Sequence, residues 1–205
     1  MNKILITIDG PAASGKGTIA KLLGEKFKLP VLYTGNIYRA IAYKLWKNGQ
    51  DPYDSEVAIK FAKTLTLADL VNDQLSKEII GEYASIIGVY PELRNVTFDF
   101  QRKFIEESNG AVIEGRDIGT VICPEAKFKF YITAEVEVRA KRRSLQHINI
   151  EYETILLDLK LRDERDQNRA VAPLKPAKDA VIIDNSNMTA EETIAEIIKN
   201  IGDVI

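Results

Sequence analysis

Apolar residues cluster in short unbroken runs along the chain, separated by stretches with helical spacing. ILITID (4–9), AVIEG (111–115), KFKFYIT (127–133) and AVIID (180–184) read as strands, with PVLYT (30–34) a weaker fifth. Continuous rather than alternating apolarity suits strands covered on both faces, and the helices between them supply the right-handed crossovers of a parallel sheet, so the fold class is α/β. Ile19, Leu22, Leu23 and Phe27 share one face of a first helix. Thr189 and Glu192 are spaced as a capping box ahead of Ile194, Ile197 and Ile198 in a last one. Between Thr34 and Asn109 the pattern is almost wholly helical. One helix carries Ile79, Ile80, Tyr83 and Ile87 and closes at Gly88; the next opens at Pro91 with Leu93, Val96, Phe100 and Phe104 on its apolar face. This stretch reads as a helical insert within one domain, and the sequence holds no internal repeat or low-complexity tract.

At 205 residues the chain supports one sizeable core. A formal net charge of -2 and a pI of about 5.6 argue against a surface built for nucleic acid or anionic lipid. One cysteine and one histidine exclude a four-ligand structural zinc site and a disulfide framework. Cys123 is expected to be a small buried hydrophobe, and His147, in the polar RRSLQHINI, a solvated side chain. The apolar run Ile4–Ile8 is too short to span a membrane and has no cleavage site behind it, so the expectation is a soluble cytoplasmic protein.

Candidate chemistry begins at the end of the first strand. Asp9 leads into Gly10, Pro11, Ala12, Ala13, Ser14, Gly15, Lys16, Gly17 and Thr18, close to the phosphate-binding pattern G-x-x-x-x-G-K-[ST]. A helix starting near Gly15 and Lys16 aims backbone N–H groups and its positive dipole end at an anion. Lys16 can reach the β and γ phosphates of a nucleotide. The hydroxyl that usually follows the lysine comes one residue late, because Gly17 intervenes before Thr18.

Four further constellations carry polar chemistry. In YTGNIYRAIAYKLW a helix starts at a small hydroxyl residue and places Tyr38 and Arg39 in its first turns, where Arg39 either meets solvent or faces an anion. EGRDIGT puts Arg116 and Asp117 at a strand end, where open α/β sheets form their ligand crevice, although a salt-bridged turn would look the same. In EYETILLDLKLRDERDQNRAVAPL the stripe Tyr152, Ile155, Leu156, Leu159 continues at the same spacing into Arg162, Asp166 and Arg169. Surface ion pairs would explain these charges, but a core face that turns charged suits a cleft holding an anionic ligand. Arg139, Lys141, Arg142 and Arg143 form a basic run, expected to be largely a solvated helix face with some cations over the phosphates of a bound nucleotide.

One phosphate loop implies one nucleotide, and arginines beyond it at Arg39, Arg116 and Arg169 imply a second anion, as in a kinase of small phosphorylated acceptors. A kinase of another monophosphate, or of shikimate, would share the loop and the basic run. A nucleotide-dependent switch is the rival from another class, but N-K-x-D is absent from the sequence and a switch has little use for a second arginine set.

Through IDGPAASGKGT, TGNIYRA, EGRDIGT and RDERDQNRAVAPL the sequence resembles bacterial cytidylate kinases, the (d)CMP kinases of the nucleoside monophosphate kinase group, over nearly its whole length. The last two motifs, in this order and spacing, look specific to that family. The resemblance implies a P-loop NTPase-type parallel sheet flanked by helices, with core 1–33 and 111–205, a monophosphate-binding insert over 34–110 and a short lid over 144–168. It implies Mg-ATP as phosphoryl donor, CMP or dCMP as acceptor and no protein ligand to Mg²⁺; for the oligomeric state a monomer is the default expectation. Gly10 to Thr18 would hold ATP, with Lys16 compensating charge on the transferred group. Arg39, Arg116 and Arg169 would grip the acceptor phosphate, Ser85, Arg94 and Asp117 read cytosine, Tyr38, Arg162 and Asp166 sit at the sugar, and Thr34 help to position the acceptor. Catalysis would fall to Lys16, Arg116, Asp117 and Arg169. The G-K-G-T spelling is then the family's usual form. Three departures stand out: the stretch Leu65–Ser85 is shorter than is typical, implying a reduced small sheet in the insert; Glu114 stands where the family often has aspartate or a small residue; and Tyr33 stands where it usually has aspartate.

Overall fold

The computed structural model describes residues 3–146 and 149–202, so the expectation for His147 lies outside the described residues. In chain order the elements are β1 (Ile4–Asp9), α1 (Lys16–Phe27), β2 (Val31–Tyr33), α2 (Thr34–Lys47), α3 (Ser55–Ala62), α4 (Glu78–Ile87), α5 (Pro91–Glu107), β3 (Gly110–Gly115), β4 (Phe128–Thr133), α6 (Val136–Ser144), α7 (Tyr152–Gln167), β5 (Val181–Asp184) and α8 (Ala190–Ile201). They form two compact units, Met1–Leu32 with Ser108–Ile205, and Tyr33–Glu107.

The first unit is built on a five-stranded sheet in the order β2-β3-β1-β4-β5. β1 pairs in parallel with β3 and with β4, and β4 with β5. The central strand β1 is buried from Leu5 onward, as its unbroken apolar run requires, and Ile113 and Val112 of β3 are fully enclosed. β5 departs from that reading: it is an edge strand, and Ile182 is exposed although it sits in an equally apolar run. α8 starts at the capping box of Thr189 and Glu192, buries Thr193, Ile197 and Ile201, and packs on α1. Cys123 is buried, as expected of a small apolar side chain. Among the described residues no helix is long and apolar enough to cross a membrane.

The second unit packs α2 against α3 and α4, and α3 against α5. Two 3₁₀ turns, Leu67–Leu70 and Asp73–Ser76, fill the span between α3 and α4, and no strand is found there. Two apolar stripes differ from those expected. On α4, Ile80, Gly81, Ala84 and Ile87 are buried while Ile79 is exposed. On α5 the buried face is Leu93, Arg94, Thr97, Gln101 and Ile105, and Val96, Phe100 and Phe104 are only half-buried. Polar groups tolerate that burial because each is bonded: Tyr38 Oη pairs with Thr97 Oγ1 at 3.0 Å, Gln101 Nε2 donates to Thr97 O, and Arg94 Nη1 donates to Gly88 O.

Candidate active site

β1 ends at Asp9, and the next residues form a tight loop before α1. Gly10 takes φ +147°, and a Cβ on it would run into the carbonyl of Ile132 on β4, so only glycine fits there. Ala13 is held at φ 59°, an uncommon conformation for a residue with a Cβ. Three loop carbonyls are each gripped by a donor. Pro11 O accepts from Lys16 Nζ at 2.6 Å, Ala12 O from Arg139 Nη1 at 3.1 Å, and Ser14 O from Asn185 Nδ2 at 3.0 Å. In a trans peptide the following N–H points opposite to the carbonyl. Anchoring these three therefore directs the amides of Ala12, Ala13 and Gly15 the other way, and the free N–H groups at the start of α1 add to them. Such a loop fits a chain of phosphates.

Lys16 opens α1 and is almost fully buried. Its ammonium also reaches Ser14 Oγ at 3.5 Å and Glu114 Oε1 at 3.6 Å. Burial, then the positive Arg116, pushes the amine down to about 7, against the pull of Glu114 and Asp9. A phosphate at the loop would add further negative charge and favour the ammonium form.

Beyond the loop, β3 delivers Arg116 and Asp117. Arg116 Nε donates to Asp166 Oδ2 at 2.9 Å, and Arg169 lies against the same carboxylate, Nη1 4.0 Å from Oδ1 and Nε 3.3 Å from the backbone oxygen. Burial raises the Asp166 carboxyl, but Arg116, Arg162 and Arg169 together outweigh it and hold it below its ordinary value. The stripe on α7 behaves as its spacing indicated. Ile155 and Leu159 form a buried cluster with Ala12 of the loop and Ala140 of α6, and the same side carries Arg162 one turn further and Asp166 two turns further.

In the second unit Thr34 is buried at the first position of α2, and Ser85 is half-buried on α4. Tyr38 meets Arg94, whose guanidinium carbon lies 5.8 Å from the ring centroid. Arg39 instead donates to the carbonyls of Leu75 and Lys77 and lies on Gly81. The expected site residues thus form one cluster around Asp166 and a Tyr38–Arg94 pair, with Arg39 directed at different backbone from Arg94.

The basic run on α6 differs from the solvated face expected of it. Arg139 is buried and forked, giving Nε to Ala134 O, Nη1 to the loop and Nη2 to Asp163 Oδ2 at 2.6 Å, while Arg142 holds Asn185 by its side-chain and backbone oxygens. Lys141 alone of the four is fully exposed. Sequence reasoning also passed over Asn185, Asp163 and the carboxylate of Asp9. A polar residue directly after a parallel strand was the available signal for Asn185.

The model of the cytidylate kinase family matches residues 6–203. The chain belongs to the cytidylate kinase family. A cytidylate kinase from Rhodospirillum rubrum is 45% identical over 200 residues, covering 93% of each chain. Another, from Paramagnetospirillum magneticum, is 45% identical over 205 residues and covers 97% of each. Among solved structures a shikimate kinase from Bacteroides thetaiotaomicron superposes with a TM-score of 0.52 at 12% identity, covering 97% of this chain and 98% of its own, which is a likeness of fold alone. Membership of the cytidylate kinase family makes the chain a phosphotransferase of the P-loop type.

Proposed function

We propose that this protein transfers the γ-phosphoryl group of ATP to CMP or dCMP, giving CDP or dCDP and ADP. The observation that carries the reading is the second cluster of buried positive charge. Lys16 and its loop answer one polyphosphate, whereas Arg116, Arg162 and Arg169 gather around Asp166, and the first two of them bear electrostatically on Lys16. Two anions brought this near to one another are what phosphoryl transfer requires, since its catalysis is chiefly alignment and charge compensation.

In this reading Gly10 to Thr18 hold ATP, and Lys16, protonated once phosphate arrives, offsets charge gathering on the transferred oxygens. Asp166 engages Arg116 only through Nε, so the paired Nη groups remain for the acceptor phosphate, alongside Arg169 and Arg39. Ser85, Arg94 and Asp117 read the base, Tyr38, Arg162 and Asp166 meet the sugar, and Thr34 positions the acceptor. Residues 34–110 recognise the acceptor and 144–168 close over the donor, excluding water that would otherwise take the phosphoryl group. ATP carries Mg²⁺, which supplies further charge compensation on its phosphates. In this reading Mg²⁺ would be held through phosphate oxygens and water, with no side-chain ligand. The compartment proposed is the cytoplasm, where small nucleotides are found, and the form proposed by default is a monomer.

A coupled assay of ADP release with Mg-ATP and CMP, dCMP, UMP, AMP or shikimate tests the assignment. Acceleration by CMP and dCMP is expected, and slow hydrolysis indifferent to every acceptor would overturn it.

A further inference from the structure

Asp9 ends β1 and immediately precedes the phosphate loop, yet its side chain turns away from that loop's backbone. Oδ1 accepts the amide of Ile118 at 2.8 Å, and Oδ2 accepts the amide of Gly119 at 2.7 Å. These are the two residues that follow Arg116 and Asp117, and they open a single π turn, Ile118–Ile122, closed by bonds from Ile122 N to Asp117 O and from Cys123 N to Ile118 O. The leading N–H groups of any helical turn have no partner within it. Asp117, at the cap position, does not supply one from its side chain. Asp9 does so from another strand, 109 residues away, and takes both amides with one carboxylate. Charge-assisted bonds to a buried acceptor are the strong class, and a carboxylate gripping two successive amides fixes direction as well as distance.

The packing around this clamp leaves little freedom. A Cβ on Gly119 would stand 3.1 Å from Thr7 Oγ1, 3.2 Å from Lys129 Cδ and 3.3 Å from Asp9 Oδ2, so the turn is seated against β1 and β4 at a point where even a methyl group requires those side chains to give way. Asp9 is 3% exposed. Burial pushes its carboxyl up to about 7 although both amides pull it down, so a group that is costly to keep charged is nevertheless placed where two amides favour its anion. An apolar contact would fill the space equally well if the position served packing alone.

We propose that Asp9 is a positioning residue of the transfer site: by clamping the amides of Ile118 and Gly119 it sets the turn that carries Arg116 and Asp117 in fixed register with the loop beginning at Gly10. Its effect on turnover rests on the kinase reading above, whereas its effect on Arg116 does not. Arg116 is the downstream reporter, because its Nε–H is engaged with Asp166 and gives a separate NMR signal.

The test uses Asp9→Asn, which keeps the shape but turns an amide donor toward one of the two N–H groups, and Gly119→Ala, which crowds the turn against the intact carboxylate. ATP-binding sites are counted by titration, so that kcat is expressed per competent loop. Both variants are expected to bind ATP with KM within about threefold of wild type and to lose at least tenfold in kcat with CMP. The Arg116 Nε–H resonance should move toward the position of an unpaired arginine. A kcat per ATP site within twofold of wild type in either folded variant overturns the proposal, and so does an unchanged Arg116 signal. If wild type phosphorylates no monophosphate the kinase reading fails by itself, and the resonance still decides the role of Asp9. Should Asp9→Asn not fold, Gly119→Ala decides both points.

Discussion

Arg116 and Asp166 are 50 positions apart in sequence and share a 2.9 Å hydrogen bond with side chains only 19% and 13% exposed. The pairing keeps three arginines gathered at one place in the absence of a phosphate. Asp166→Asn retains an acceptor oxygen but removes the charge that balances them. Leaving one partner of a mostly buried pair uncompensated costs about 2 kcal/mol here, below the figure for a fully buried pair because both side chains keep some water. Urea denaturation should show that loss at pH 7. Inorganic phosphate, which replaces the missing negative charge, should recover more stability in the variant than in wild type. The native carboxyl lies below its ordinary 3.8, so its contribution is present above pH 3.8 and is lost as the pH falls through the lower native value; the gap between variant and wild type should close only in strong acid.

Lys16 follows the opposite logic. Burial and Arg116 lower its amine from 10.5 to about 7, so the folded protein prefers the neutral amine and is penalised for holding the ammonium. The penalty is complete below pH 7 and fades as the pH rises to 10.5, where the unfolded chain also loses its proton. Lys16→Met removes it. The variant is expected to melt higher than wild type at pH 6.5, with the advantage shrinking at pH 9.5, and to lose turnover throughout. A wild type that melts higher at pH 6.5 would show that Pro11, Ser14 and Glu114 already compensate the charge.

A second consequence of that lysine concerns protons. At pH 8 the free amine is mostly neutral, and a bound polyphosphate raises its affinity for a proton. ATP binding should then take up a fraction of a proton approaching one, read by calorimetry in buffers of different ionisation enthalpy. At pH 6, where Lys16 is already charged, uptake should be small. Equal uptake at both values would exclude Lys16 as its source.

The strand–loop–helix start at Ile4–Phe27 was legible because everything it needs is local: an apolar run, glycines at the turn, a lysine at the helix mouth. The charged end of the α7 stripe was legible too, since helical spacing alone brings Arg162 and Asp166 to the face of Ile155 and Leu159. What spacing cannot give is the partner across the fold. Asp9 looks like any residue ending a strand, because the amides it holds belong to a turn more than a hundred positions later. Arg139 looks like the other cations of RAKRR until Asp163 and Ala12 O are seen beside it. The polar face of α5 was misjudged because apolar counting assigns Thr97 and Gln101 to solvent, whereas paired polar groups can be buried.

Arg139 provides a test of how the loop is supported. Its fork joins Ala12 O, Ala134 O and Asp163, so Arg139→Met strands a carboxylate that is 15% exposed and unpairs two carbonyls. A loss of about 3 kcal/mol is expected from the uncompensated charge. Asp163→Asn combined with it should return at least half of that, because the stranded charge is then gone. If the double variant is no more stable than Arg139→Met, the cost lies in the carbonyls instead. In both variants KM for ATP should rise, since Ala12 O is no longer held outward.

Arg169 is the sharpest test of the acceptor side. It follows the end of α7, and its side chain is 9% exposed, so it is placed by burial rather than by helix geometry. Planar guanidinium can meet two phosphate oxygens together while its Nε stays on the Asp166 backbone, whereas a lysine in the same position has one point of charge. Arg169→Ala should therefore cost at least ~2 kcal/mol of transition-state stabilisation, about 30-fold in kcat/KM for CMP. Arg169→Lys should recover only part of it, and KM for ATP should change little in either. A near-normal rate in Arg169→Ala would remove this residue from the site, and full rescue by lysine would mean that charge alone, without the fork, is what the acceptor needs.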